Sequence, residues 1–208
     1  MPSHGHGRGY AGTHWLIPDL VGQIDGHKGP HSARFGDFSS AGAAEFRAVD
    51  EVRGVVVQAT AGTELDGPAA GKDPTLRLVA AASPHLASGT ALVAGELWTS
   101  DGPFVNPQDV RRGNLFAKWK SAVAGDELTL LAMMYAARWN ASRQIPARAV
   151  AAGARDRFGS IDLSEQGSDS SRASVSALWE GHGLACRRTQ STTGRACSPT
   201  SPSSPAIR

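Results

Sequence analysis

The chain has 208 residues, of which 40% are hydrophobic, and its formal net charge is +2 at pH 7. This length allows one domain or slightly more, and the small net charge is not typical of an intrinsically disordered chain. The 21 cationic residues are scattered and are offset by 19 acidic residues, which argues against nucleic acid as a partner. Because Gly and Ala are abundant while the larger aliphatic residues are scarce, we expect only a thin core.

The first 48 residues are predicted to be irregular. Glycines interrupt short apolar pieces such as residues 15–17 and 21–24, so neither helical nor strand periodicity is sustained.

From residue 51 onward, apolar and polar residues alternate, which is the pattern of half-buried β-strands. The clearest examples are residues 115–120 and 172–179, in which Leu115, Trp119 and Val175 lie on the apolar side. Weaker alternation predicts four further strands, at residues 55–62, 76–82, 90–98 and 128–139. The sequence therefore predicts about six strands.

The connections between these strands alternate in length. Residues 83–88 and 124–126 are short breaks, whereas residues 65–75, 100–113 and 140–169 form long connections. Short turns at one end and long loops at the other are typical of an outer-membrane β-barrel, although a soluble sandwich or jelly roll is an alternative. Closure needs about eight strands, so residues 51–180 are predicted to form an open antiparallel meander of five to seven strands.

Three tryptophans lie near the ends of predicted strands, at Trp98, Trp139 and Trp179. They fit the aromatic girdles of a membrane barrel and equally fit ordinary cross-strand packing.

Residues 24–43 carry motifs that point to a family. Lys28-Gly29-Pro30 is followed by Phe35-Gly36 and then by Ala41-Gly42-Ala43. In this order they resemble the closing segment of the plug domain in TonB-dependent outer-membrane receptors. The preceding residues 2–18 look like the plug loop and helix start that come before it.

The resemblance continues downstream and covers about residues 1–180. Residues 100–107 (SDGPFVNP) and 111–118 (RRGNLFAK) look like an early extracellular loop and the strand that descends from it. Residues 139–146 and 157–162 are similar to the next long loop.

The resemblance implies three regions: the C-terminal part of a plug at residues 1–48, the first strands of a transmembrane β-barrel at 49–180, and a tail at 181–208. An intact member of the family takes up a scarce nutrient such as an iron chelate or cobalamin, driven by the TonB system, with outer-membrane lipid around the barrel. The transported ligand is not identified by the sequence. As weak candidates for substrate contact on the plug surface, the resemblance offers His4, His6, Arg8 and His14.

The chain also departs from the family. It shows no signal peptide, no TonB-contacting segment and too few strands, so we interpret it as an inactive fragment that would stay in the cytoplasm if expressed as written. Residues 181–208 lose the alternation, and one choice of codons for residues 186–202, read one base earlier, encodes the strand-like sequence VSAYAVDYRPGLFSNFT. The tail is therefore predicted to be out of frame and unstructured, with a genuine Ser/Thr/Pro-rich linker as the alternative.

No catalytic constellation is found, and neither an enzyme nor a cofactor is predicted. His4 and His6, taken with His14, could suggest a metal site, but a third ligand at a sensible spacing is missing, so no metal site is predicted. Gly67 and Gly71 do not have the spacing of a phosphate-binding loop. Two rival interpretations remain, a small soluble antiparallel β-sheet binding module and a non-functional open reading frame.

Overall fold

A computed structural model describes residues 12–29, 35, 41–68, 70–71, 74–86, 89–140, 145–159, 167–181 and 184–197. The protein is mainly β, as the alternating sequence predicts. Within these ranges the strands are β1 (Val21–Lys28), β2 (Gly42–Ala48), β3 (Val55–Thr63), β4 (Pro74–Ala82), β5 (His85–Leu86), β6 (Gly89–Ser100), β7 (Val110–Val123), β8 (Asp126–Asn140), β9 (Gly167–Gly181) and β10 (Leu184–Cys197). A 3-10 turn, Pro18–Leu20, precedes β1, and a short helix, α1 (Ala147–Ala151), lies between β8 and β9.

The large sheet is an antiparallel meander in the order β10-β9-β8-β7-β6-β4-β3, with the two-residue β5 paired to β6. Every strand on this path pairs with its neighbour in sequence, apart from the small β5 detour. In the described part of the chain β3 and β10 are the two edges, so the sheet is open. The predicted meander of five to seven strands is confirmed by β3 to β9.

The turn between β7 and β8 explains their tight pairing. Val123 lies opposite Asp126, which leaves a two-residue loop of Ala124 and Gly125 with φ of 54° and 90°. Two positive φ values define the type I′ geometry, whose twist matches that of the flanking strands. Gly125 adopts this conformation without strain, whereas Ala124 is an unusual occupant.

One face of the sheet, which we call the covered face, packs against the N-terminal segment (residues 12–20 and 48–52). Its buried residues alternate along the strands with exposed ones because successive side chains point to opposite faces. The core where the two meet consists of Ile17, Leu20, Val79, Ala81, Leu92 and Ala94, flanked by Val49, Val52 and Phe116.

The opposite face, which we call the bare face, is apolar and packs on nothing in the described part of the chain. Its larger exposed residues, spread over six strands, are Val57, Leu78, Val93, Leu97, Leu115, Met134 and Val175. The β registers place Val93, Ala117, Ala132 and Val175 in one row across the sheet. The bare face is thus one continuous surface.

Two expectations about the ends of the chain are wrong. Residues 1–48 are not irregular throughout, because β1 and β2 form a two-stranded antiparallel sheet in which Asp25 lies opposite Glu45. The tail is not unstructured throughout either, because Leu184–Cys197 pairs with β9 along its whole length. A strand edge offers backbone donors and acceptors to any segment without Pro, so a ladder can form without an alternating sequence.

Candidate functional site

The most deeply buried charge lies on the covered face, in what we call the Glu96 cluster (Asp19, Arg77, Glu96, Arg112 and Asn114). Glu96 is 1% exposed, and both of its carboxylate oxygens accept hydrogen bonds. Arg77 donates from Nη2 to Oε2 at 2.8 Å, and Arg112 donates from Nη2 to Oε1 at 2.7 Å. Asn114 Nδ2 also donates to Oε1, at 3.2 Å. A buried carboxylate is tolerated here because two guanidinium groups compensate it.

This cluster ties the N-terminal segment to the sheet. Arg77 on β4 donates to Asp19 in the 3-10 turn as well as to Glu96. The hydrogen bond from Arg77 holds the pKa of Asp19 below its ordinary value, against the opposing effect of partial burial. The guanidinium thus bridges a strand and a turn that are 58 residues apart in sequence.

Two further contacts hold the start of the described chain on the covered face. Asn114 Nδ2 donates to the backbone oxygen of His14 at 3.0 Å. The Arg172 guanidinium on β9 lies 5.5 Å from the centre of the Trp15 ring, within the range of a cation–π interaction. The side chain of Trp15 is itself oriented by a hydrogen bond from Nε1 to the Gly12 oxygen.

A second anchor lies at the other end of the covered face, where Lys118 and Lys120 of β7 meet Asp50. Lys118 Nζ donates to Asp50 Oδ1 at 2.5 Å and to the Ala48 oxygen at 3.1 Å. Lys120 Nζ lies 3.2 Å from the other carboxylate oxygen and 3.0 Å from Glu127. The hydrogen bond from Lys118 is the largest effect on the Asp50 pKa, which is lowered from its ordinary value.

Both anchors serve to hold the N-terminal segment in position on the covered face. The oxygens of Glu96 already accept from three donors, which leaves the carboxylate poorly placed to take a proton from a substrate. Its neighbours present donors toward the N-terminal segment rather than toward an open cleft. The covered face therefore acts as a platform that fixes this segment against β4, β6 and β7.

The bare face carries a shallow apolar depression of about 550 Å³. Its described lining residues come from β3, β4, β6, β7 and β8, and none of them is charged. Those that lie on the bare face are Val55, Ala80, Ala82, Val93, Gly95, Leu115, Ala117, Ala132 and Met134.

Charged residues mark the two ends of the bare face. Arg111, Arg138 and Asp169 occupy neighbouring positions of β7, β8 and β9 at the end that leads into the long loops. At the other end Asp126 follows the β7–β8 turn, and its Oδ2 accepts a hydrogen bond from Trp179 Nε1 at 3.0 Å. Between these limits the bare face of β8 runs from Leu128 to Ala136 without a charge.

The long connections gather at one end of the sheet. Arg157, which follows α1, pairs with Asp66 of the β3–β4 connection and stacks 4.6 Å above the Phe158 ring. Phe158 meets Phe104 of the β6–β7 connection edge to face, with ring centres 6.4 Å apart. Three loops that are distant in sequence therefore contact one another.

Of the residues predicted to contact substrate, only His14 lies within the described residues. His4, His6 and Arg8 lie outside the described residues. His14 is exposed in a turn, and only its backbone oxygen joins the Glu96 cluster. Sequence reasoning missed Glu96 and Arg77, although an isolated carboxylate within the apolar stretch 91–97 is a signal that could have drawn attention to a buried ion pair.

Within the described ranges, no three His, Cys, Asp or Glu side chains converge as metal ligands do. No helix in that part of the chain is both long and apolar enough to cross a bilayer. Comparison with known protein families, with curated proteins and with solved structures finds no match to this chain.

Proposed function

We propose that this chain is a piece of a TonB-dependent outer-membrane receptor. It would comprise the back part of the plug, at residues 1–48, and the first strands of the barrel, at 49–180. In this proposal the bare face meets lipid and the covered face lines the lumen, where it holds the end of the plug. The intact receptor would import a nutrient such as an iron chelate or cobalamin, and this piece alone would be inactive.

The single observation that carries the proposal is the arrangement of the two faces. The sheet buries Glu96 with two guanidinium groups under the N-terminal segment, beside the small core, and leaves a broad set of aliphatic residues exposed on the opposite face. A soluble sheet with one solvated face has the reverse preference, polar residues outward. A barrel strand places apolar residues outward and polar residues inward.

The height of the uncharged band supports the same proposal. Leu128 to Ala136 is eight residue steps, or about 27 Å along a strand at ~3.4 Å per residue. For strands tilted by roughly 40°, this corresponds to a vertical height of about 21 Å, close to the roughly 25 Å apolar band of outer-membrane barrels. Trp179 at one limit fits an interfacial position, with its ring on the apolar side and its N–H on Asp126.

Strand β10 supports the interpretation of the tail as out of frame. Its described bare-face residues are Cys186, Arg188, Gln190 and Thr192, and the last three lie opposite Ala177, Val175 and Ala173 of β9. The backbone pairing continues while the apolar surface ends. Nucleotide sequence on both sides of the gene tests this: a receptor gene that continues in a shifted frame is expected, and an uninterrupted frame ending at Arg208 in close relatives would contradict it.

Lipid contact is tested with two single-tryptophan variants, one that keeps Trp119 on the bare face and one that keeps Trp98 on the covered face. Trp98 is the matched control because it lies on the covered face beneath the Arg112 guanidinium, 4.6 Å from the ring centre. Each chain is refolded into vesicles of brominated phosphatidylcholine, whose acyl-chain bromines quench tryptophan. We expect strong quenching of Trp119 and weak quenching of Trp98.

Equal quenching of the two tryptophans would overturn the assignment of the faces. A monodisperse monomer in water that unfolds cooperatively and ignores the vesicles would favour the soluble β-sheet module instead.

A further inference from the structure

The two edges of the open sheet differ in their protection against pairing with another chain. All nine residues of β3, VVVQATAGT, are exposed, and they include no charge and no Pro. The 14 residues of β10 include Arg187, Arg188 and Arg195. Natural proteins block exposed edges with charged residues, Pro or bulges, so only β10 has such protection.

We propose that β3 is a self-association surface on which a second copy of this chain adds its own β3. The two strands run antiparallel about a twofold axis at Ala59. The pairing continues the sheet across both copies, and it rests on the edge geometry alone, independently of the receptor assignment.

The register of the β3–β3 pairing follows from the requirement that the bare faces of the two copies lie on the same side. With Ala59 opposite Ala59, Val57 lies opposite Ala61 and Val55 opposite Thr63, so each position meets one of the same parity. Val57 and Ala59 lie on the bare side in both copies, as their partners Ala80 and Leu78 show. The two bare faces then join without a step, and a one-residue slip would destroy this match.

Self-pairing of β3 also avoids charge repulsion. Neutral side chains face each other, with Ala59 opposite Ala59 and Val57 opposite Ala61, and the four or five residues of β3 whose N–H and C=O point away from β4 gain backbone hydrogen bonds. A β10–β10 pairing would bring Arg188 of two copies to one shared edge. Pairing β3 with β10 is heterologous, so it would lead to a ring or to open-ended assembly rather than to a dimer.

Disulfide cross-linking tests the register. The background chain has Cys186→Ser and Cys197→Ser, and it is dispersed in detergent with many micelles per chain. Directly opposed residues of antiparallel strands have Cα atoms about 4.5–5.5 Å apart, within the range that a disulfide spans. Under mild oxidation with copper phenanthroline, we expect Ala59→Cys to give a covalent dimer.

Two cysteine controls separate this dimer from random contact. Val57→Cys should not link to itself, because the two residues lie four steps apart, about 14 Å along the strand, but it should link to Ala61→Cys in a mixture. Thr192→Cys, on the bare side of the β10 edge, should remain monomeric. Cross-linking of Val57→Cys or Thr192→Cys as fast as Ala59→Cys would overturn the proposal, since it would indicate unspecific aggregation.

A charge-exchange experiment gives a second readout that does not depend on cysteine. Ala59→Lys and Ala59→Glu should each sediment as monomers, because like charges meet at the axis, and their mixture should regain the dimer. Thr192→Lys should leave the dimer unchanged. A wild-type chain that sediments as a monomer, or a dimer that Ala59→Lys does not affect, would contradict the proposal.

Discussion

Strand β6 shows how different the two faces of one sheet are. Glu96 is 1% exposed, whereas its neighbour Leu97 is 62% exposed. Residue polarity alone would predict the opposite. Burial in this sheet therefore depends on which face the N-terminal segment covers. That segment covers Glu96, and Arg77 and Arg112 compensate the charge of its carboxylate, whereas nothing in the described chain covers Leu97.

The largest contrast is expected between Glu96→Ala and Leu97→Ala. Removing the carboxylate leaves Arg77 and Arg112 without their shared counter-charge, and breaking a buried ion pair costs about 3–5 kcal/mol. Leu97→Ala shortens a mostly exposed side chain and should change stability by less than ~0.5 kcal/mol. Urea unfolding followed by tryptophan fluorescence, in a detergent that keeps the chain dispersed, measures both. Similar losses for the two variants would show that the faces are not energetically distinct.

A second neighbouring pair sharpens the comparison without charge. Leu92 is fully buried in the core, so Leu92→Ala should cost about 2–5 kcal/mol through lost burial and the cavity that remains. Val93 is 44% exposed on the bare face, and Val93→Ala should cost under ~1 kcal/mol. The same urea titration applies. A costly Val93→Ala would indicate that the bare face is covered in solution, for instance by another copy.

The smallest effect concerns pH and the Asp50 anchor. Because the folded pKa of Asp50 is lowered, its contribution to stability is present above the ordinary carboxyl pKa and is lost as the pH falls through the folded value. The carboxylate is half exposed, so the contribution should be under ~1 kcal/mol. Asp50→Asn should flatten the acid limb of stability against pH. An unchanged pH profile for Asp50→Asn would show that the Asp50 carboxylate does not contribute to stability.

Much of the large sheet could be predicted from the sequence. All six strands predicted from alternation are present, and β7 and β8 extend only a few residues beyond their predicted ends. Alternation succeeds here because each strand has one apolar face, whatever that face contacts. The short turn at Ala124 and the long connections were likewise visible from the lengths between periodic segments.

The features that the sequence did not predict, β10 and the Glu96 cluster, have a common physical cause: both depend on contacts with distant parts of the chain. Strand β10 lacks alternation and pairs because β9 presents a free edge, a property of the neighbour rather than of residues 184–197. The Glu96 cluster joins Asp19, Arg77 and Arg112, which lie far apart in sequence. Local pattern could not reveal that these groups converge, because their approach depends on the N-terminal segment returning to the covered face.

The nearest-neighbour connectivity of the meander has a kinetic consequence. Successive strands of the meander are joined by ten residues or fewer, apart from the β8–β9 connection, so strands can add to the sheet in the order in which they are synthesised. The N-terminal segment rests mainly on β4, β6 and β7, so most of its docking site exists once residue 123 has been made, and Arg172 of β9 adds its contact with Trp15 later. Strands β8 to β10 then extend a body that already has its core, and amide hydrogen exchange should be slowest in β6 and β7 and fastest at β10.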